Sequence, residues 1–444
     1  MAANKQDQQD SRECPIVSAR SFGVAGEPIV LHEGMIESPT AEETLGSIYL
    51  SLDPVPDLRW KALSESNDFW TEDGNIRISF KRPSGSARAQ GVCNTYGEGS
   101  LNGVQVTRPG ARLQHAIFHW VNLPPIAGNI RLEVGGTDWG RNSMAEPDRL
   151  RLTAGVWDLV LDRRADYEEV VKDAKVRNLY ALTHVMDIRR TDGFDFDAEE
   201  LEPLSEALRS GLSFAFGRWV SPAMKVGYGH GGEAVWESWG APICDPYKSI
   251  GSPIIYWGSL HDVTDFIQRV VDRFGDPERY GTASFQMFLA AQTAELGFVE
   301  NRIFSAFPAI ENLSWVTLKL EAERSNSEYE SIGDAAARLR VMLELASIPL
   351  EIAPESLPGL YSLAEEKGLD GPGTVVWVRN RLVHPKDPHD TIYGKEHRFV
   401  VETWYLSRNY LALLVLHSIG YRGGYLPAVP PFGYLMGAVP VPWV

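Results

Sequence analysis

The chain has 444 residues, 44% of them hydrophobic and 23% charged, a globular balance that excludes a wholly disordered, collagen-like or low-complexity protein. A formal charge of −17 excludes a broad nucleic-acid-coating surface but leaves room for a small local basic site. The length allows two or three domains at about 150 residues each.

Residues 1–37 read as a loosely structured N-terminus. The opening MAANKQDQQDSREC is polar and lacks the apolar stretch of a signal peptide. No run approaches the ~20 apolar residues of a membrane span. Cys14, Cys93 and Cys244 are few and far apart, so neither a disulfide framework nor a Cys-rich zinc site is indicated. These features predict a cytoplasmic protein with no membrane partner.

Residues 38–245 predict a β-rich domain. Ile76, Ile78 and Phe80 alternate with Arg77, Ser79 and Lys81, the period-2 pattern of a half-buried strand. Further strands are expected at Ile48–Leu52, His115–Val121, Ile130–Val134, Val156–Leu161 and Leu212–Phe216, separated by Gly, Pro and Asn. One helix interrupts them, capped by Asp197 and striped by Leu201, Leu204 and Leu208. The tryptophans concentrated here read first as core and second as a ligand platform. His115 and His119 would share a strand face, but no third metal ligand is visible. The glycine-rich Val226–Glu233 reads as a hairpin turn rather than a phosphate cradle, because no Gly-Lys-Ser/Thr follows. The acidic cluster Asp192–Glu200 lacks the pattern of a calcium loop and reads as a solvated turn and helix start.

Residues 246–258, rich in Pro, Gly and Ser, predict a linker, and the period then becomes helical. Helices are expected over residues 259–424, at Leu260–Phe274, Ser284–Leu296, Val299–Leu320, Asp334–Ile348, Leu357–Lys367, Thr374–His384 and Glu396–Ile419. Pro308 should kink the third of them. Residues 425–444 form a Pro-rich apolar tail expected to pack on the body or on a second subunit. The fold class is α+β, a β-rich domain followed by an all-α bundle.

The stretch carrying chemistry is VVWVRNRLVHPK, Val375–Lys386. An apolar helical lead-in ends in Arg379, Asn380, Arg381 and His384, and Pro385 stops the helix. Asn380 and Arg381 share a face with His384. Arg379 and His384, five positions apart, point about 140° away from each other in an ideal helix. They meet over one substrate only if the last turn opens or a second copy of the helix pairs with the first. Arg379 or Arg381 can hold a phosphate in bidentate fashion. His384 is the side chain whose ordinary titration range reaches neutrality, as acid–base work requires. No metal or cofactor is implied. From Val271 to Val444 acidic residues outnumber basic ones. Within Val376–Arg398 the balance reverses, with Arg379, Arg381, Lys386, Lys395 and Arg398 against Asp387, Asp390 and Glu396.

Arg379-Asn380-x-x-x-His384 late in a helical region resembles the R-N-x-x-x-H form of the HEPN (higher eukaryotes and prokaryotes nucleotide-binding) motif. The resemblance covers roughly Asp276–Tyr425, including a final helix with Trp404-Tyr405-Leu406 and Ile419-Gly420-Tyr421. More loosely, LSFAFGRWVSP and AVWESW are similar to bacterial proteins, some of the abortive-infection type, that place a β-rich region before a HEPN domain. The resemblance implies a helical bundle that homodimerises and, in active members, a metal-independent endoribonuclease used in phage defence. It would make Arg379, His384 and Asn380 the catalytic set and RNA the substrate, with Arg381 and Lys386 as substrate-binding residues. Some members add an acidic residue from an early bundle helix, and Glu311 is the candidate by position. Two other readings stand beside this one. One is a non-catalytic HEPN-like dimerisation module whose β domain binds an unidentified ligand. The other is a carbohydrate-directed activity in the Trp-rich β domain.

Overall fold

A computed structural model describes residues 13–39, 41–63, 74–95, 97–132, 148–247, 253–275, 297–384, 392, 397–432 and 437–444. The chain is α+β, strands first and helices after, and divides into two compact units: Met1–Leu201 with Val220–Lys248, and Glu202–Trp219 with Ser249–Val444.

In the first unit, β1 (Ile29–Ser38) pairs with β2 (Ala41–Ser51) and β4 (Asn75–Arg82), and β2 pairs with β3 (Asp57–Ala62). β5 (Gly85–Thr95) joins β4 to β6 (Glu98–Thr107), and β6 returns to β3. All pairings are antiparallel and the six strands close a barrel, which removes the edges an open sheet would expose. Its interior holds Ile36, Ile48, Leu58, Trp60, Ile78 and Val106. The other half of β6 pairs with β12 (Ala234–Trp239). The sheet then continues through β11 (Ser221–Tyr228), β7 (His115–Val121), β10 (Leu182–Arg190), β9 (Trp157–Arg163) and β8 (Arg149–Ala154). Helix α1 (Tyr167–Arg177) links β9 to β10.

The N-terminal segment lies across this extension with an anchor on four of its six strands. Glu13 meets Arg149 and Arg151 on β8, and the Ile16 amide donates to Asp162 on β9. Ser18 Oγ lies 3.1 Å from His119 Nε2 on β7, and Arg20 donates to the buried Glu237 on β12 at 2.9 Å.

The second unit is helical. It contains α2 (Leu201–Phe216, except its first residue), α3 (Leu260–Phe274) and α4 (Val299–Trp315), which continues as a π-helical turn over Val316–Glu321. Then come α5 (Asn326–Ser331), α6 (Ala335–Leu345), α7 (Pro358–Lys367), α8 (Gly371–Val383) and α9 (Arg398–Ser418). α9 is buried along nearly its whole length and packs on α4, α7 and α8. Its Glu402 carboxylate accepts the Leu360 amide at 2.7 Å, so one helix caps the start of another, α7, whose own Leu357 cannot. The tail packs here: Leu426, Ala428 and Val441 are buried, the Ala428 amide donates to Asn409, and Trp443 Nε1 donates to the Tyr421 carbonyl. Among the described residues no helix is long and apolar enough to cross a membrane.

Several sequence expectations need correction. Leu212–Phe216 is not a strand but the end of α2, with Leu212, Phe214, Ala215 and Phe216 all buried. A short apolar run buried on every side has no period that separates strand from helix. Residues 13–37 are not loose: the N-terminal segment is anchored on the sheet, and β1 begins at Ile29. A register shift between Val30 and His32 breaks the alternation that would have marked that strand. α1 is a second helix in a region where only the one begun at Asp197 was expected. The strand expected at Ile130–Val134 is reduced in its described part to isolated bridges, Ile130 to Arg149 and Leu132 to Glu13, while Glu133 and Val134, the helix expected at Ser284–Leu296 and residues 1–12 lie outside the described residues. Pro308 lies inside α4, as expected.

Candidate active site

α8 owes its position to its first turn. Asp370 caps it, accepting the Gly373 amide at 2.8 Å, and Pro372 sits at a first-turn position where no amide donor is needed. Arg340 on α6 forks onto both Asp370 oxygens at 2.6 and 3.0 Å. Burial pushes the Asp370 carboxyl up. The Arg340 fork and the Gly373 amide outweigh it and hold the group below the usual carboxylate range. Gly371 is required by close approach, since a Cβ there would press into the Tyr410 hydroxyl and stand 2.6 Å from the Leu350 carbonyl oxygen. Val375, Val376, Val378 and Leu382 are buried and fix the rotation of the helix.

That rotation sets where the polar residues go. Arg379 turns toward α4: its guanidinium lies over the Phe307 ring at 5.7 Å, donates to Asn380 Oδ1 at 3.0 Å and stands 3.9 Å from Glu311 Oε1. A guanidinium has five donors, so these partners do not saturate it. The Glu311 contact is long and half-exposed, a weak pairing that an incoming phosphate can displace. Asn380 is exposed and Arg381 half-buried, with its guanidinium 5.6 Å from the Trp377 ring centre. Lys367 Nζ lies 5.5 Å from the same ring.

His384 ends the helix. Its amide still donates to the Asn380 carbonyl at 2.8 Å, but at φ −124° and ψ 76° its backbone has left helical geometry and its side chain is exposed. Of the candidate residues, the fold thus brings Arg379, Asn380 and Glu311 together. α8 keeps its helical course to Val383, so Arg379 and His384 remain on separate faces within one chain. Lys386 lies outside the described residues.

Position alone pointed to Glu311, and the fold sets it beside Arg379 across 68 positions of chain. The residues that sequence reasoning missed are those behind Glu311. Phe307, Ser314, Tyr329 and Arg338 line a cleft with it, and Arg338 lies over the Tyr329 ring at 4.4 Å. No spacing links them, because they come from three separate helices.

The weaker signals have structural explanations. His115 Nδ1 lies 2.8 Å from Asp187, and His119 Nδ1 donates to the Met224 carbonyl at 3.1 Å. Among the described residues no group of three or more His, Cys, Asp or Glu could hold a metal ion. Val226–Tyr228 ends β11 and Gly229–Glu233 forms the turn into β12. Asp192 and Asp197 are paired with Arg190 and Arg112. Trp60, Trp120, Trp157, Trp219, Trp236, Trp239 and Trp257 are buried as core. Cys14, Cys93 and Cys244 form no disulfide among the described residues.

Comparison with known proteins gives two family matches. Residues 108–250 match the family described as the YopA central domain, and residues 285–435 match the YopA C-terminal domain. The chain is also similar to the SPbeta prophage-derived uncharacterized protein YopA of Bacillus subtilis (strain 168), with 30% identity over 287 residues. That alignment takes in 63% of this chain and 62% of the relative, so the chain spans just under two thirds of the relative's length. No solved structure matches.

Proposed function

We propose that the helical unit is a HEPN-like ribonuclease that cleaves RNA without a metal and acts as a homodimer in the cytoplasm. The observation that carries this reading is the end of α8. There Arg379 is held between Phe307, Asn380 and a loosely bound Glu311, and His384 stands exposed where the helix gives way. The buried face of α8 and its doubly anchored first turn make this a rigid platform, which positioned chemistry requires.

In the reaction, His384 takes the 2′-hydroxyl proton and the 2′-oxygen attacks phosphorus. The bond to the 5′-oxygen breaks, and a proton passes to that leaving oxygen. The products are a 2′,3′-cyclic phosphate and a 5′-hydroxyl. Arg379 donates to the non-bridging oxygens as their charge grows. Arg381 and Lys386 hold flanking phosphates. Because Arg379 and His384 diverge along one helix, the second copy's α8 supplies the complementary half of each site. The β-rich unit serves as the sensing or recruiting part. A role in phage biology draws support from the prophage origin of the Bacillus subtilis relative.

The test is purified protein with end-labelled RNA in excess chelator. Wild type cuts, and Arg379→Ala and His384→Ala reduce cutting by about a hundredfold or more. Equal cutting by all three would sink the proposal. The divergence of the two side chains also favours a second reading, a non-catalytic dimerisation module. That reading predicts a stable dimer with no cleavage by any variant.

A further inference from the structure

Beside Arg379, a cleft opens between α4, α5 and α6, and its chemistry does not fit a plain structural gap. Its lining pairs the Glu311 carboxylate with Ser314 and Tyr329, whose hydroxyls lie 3.4 Å apart, and with the Arg338 guanidinium stacked on the Tyr329 ring. Arg338 Nε is buried and has no hydrogen-bond partner among the described residues. Buried donors in folded proteins are nearly always paired, so this one is poised for an acceptor. Phe307, which underlies the Arg379 guanidinium, also lines the cleft. The cleft and the phosphate-binding arginine therefore share two residues, Phe307 and Glu311.

The geometry points to a guanine-binding site that sets the cleavage position of the ribonuclease, an inference that rests on the function proposed above. A carboxylate offers two adjacent acceptors. Among the four RNA bases only guanine presents two adjacent donors, N1–H and N2–H, on its pairing edge. Adenine and cytosine set a lone pair beside their amino group, and uracil flanks its single N–H with carbonyls. Guanine O6 and N7 in turn accept from an arginine fork, which is the commonest arginine–base contact. An unstacked base also needs a planar surface, and the Tyr329 ring supplies one. The open space is only about 20 Å³, room for about one water. The base takes the place of the guanidinium on the ring, and Arg338 slides from the ring face to the O6/N7 edge. Its partnerless Nε then gains an acceptor.

The experiment is calorimetric titration of the full chain, in chelator, with 5′-GMP, AMP, CMP and UMP, alongside mapping of cut sites in RNA. GMP should bind about tenfold or more tighter than the others, and Glu311→Gln should erase that preference while leaving the thermal transition in place. Should Glu311→Gln fail to fold, Arg338→Met serves the same purpose by removing the O6/N7 partner. Equal binding of all four nucleotides, no binding of any, or a guanine preference that survives both substitutions overturns the site. GMP-selective binding without RNA cleavage keeps the site and overturns the ribonuclease. Cleavage without base preference overturns the site and keeps the ribonuclease.

Discussion

Glu402 shows how one buried side chain can hold two helices in register. Its carboxylate is almost fully enclosed on α9, yet it satisfies the Leu360 amide of α7 and pairs with Arg398 at 2.7 Å. Glu402→Ala removes the acceptor of the buried Leu360 amide and should destabilise the helical unit by about 1–3 kcal/mol, read as a lower urea midpoint. An unchanged midpoint would show that water satisfies the amide. Gly371 works by absence: a Cβ there has nowhere to go between the Tyr410 hydroxyl and the Leu350 carbonyl. Gly371→Ala should cost about 1–3 kcal/mol through overpacking and lower the melting temperature. Arg379 and His384 could be read from spacing and from the Pro385 stop. Glu402 and Gly371 could not, because what constrains each is a residue 39 or more positions away along the chain or a neighbour's backbone.

At the scale of elements, legibility followed the size of the buried side chains. β4 and β7 were visible because Ile, Phe, Val and Trp fill their inner faces. β5 alternates just as strictly, but its buried face is Ala87, Ala89, Gly91 and Cys93, which carry almost no hydrophobic signal. Small residues are needed there because the backbones crowd: a Cβ on Gly91 would collide with the Ser100 carbonyl of β6. α8 was legible from its apolar run and its proline stop, though the cap at Asp370 emerged only with the Arg340 fork. Asp370→Ala should destabilise the unit by about 1 kcal/mol from the lost cap, with a further loss from the stranded Arg340. The sign of its pH dependence follows from a carboxyl held below its unfolded value. The contribution is present above the unfolded pKa of about 3.9 and is lost as pH falls through the folded value. Acid unfolding curves of wild type and Asp370→Ala should therefore converge below pH ~4. A constant gap between them would mean the carboxylate's charge is irrelevant.

At the scale of the molecule, the two units differ in what holds them. The β unit carries two histidines whose titration burial suppresses. Burial pushes His119 down to about 4, with the Met224 bond opposing, and pushes His184 down to about 3 with help from Arg163. Each is neutral in the folded state and near 6.5 when unfolded, so both contribute fully above pH ~6.5 and lose ground as pH falls toward the folded values. Stability of this unit should drop by up to ~1.4 kcal/mol per pH unit per histidine between those limits. His119→Gln should flatten the slope by about half, measured by denaturant titration at pH 7, 6 and 5. An unaltered slope would place the proton uptake elsewhere. The order of strands before helices was legible from the change of period near residues 240–258. The barrel was not, because closure depends on β3 meeting β6 across some forty intervening residues.

The most direct measurement is the chemistry of the ends left on a defined RNA incubated with the full chain in chelator, resolved by mass spectrometry. The account predicts 2′,3′-cyclic phosphate and 5′-hydroxyl ends from wild type, and intact RNA from Arg379→Ala and His384→Ala. Ends bearing a 5′-phosphate, or cyclic ends that persist undiminished in both variants, would contradict it.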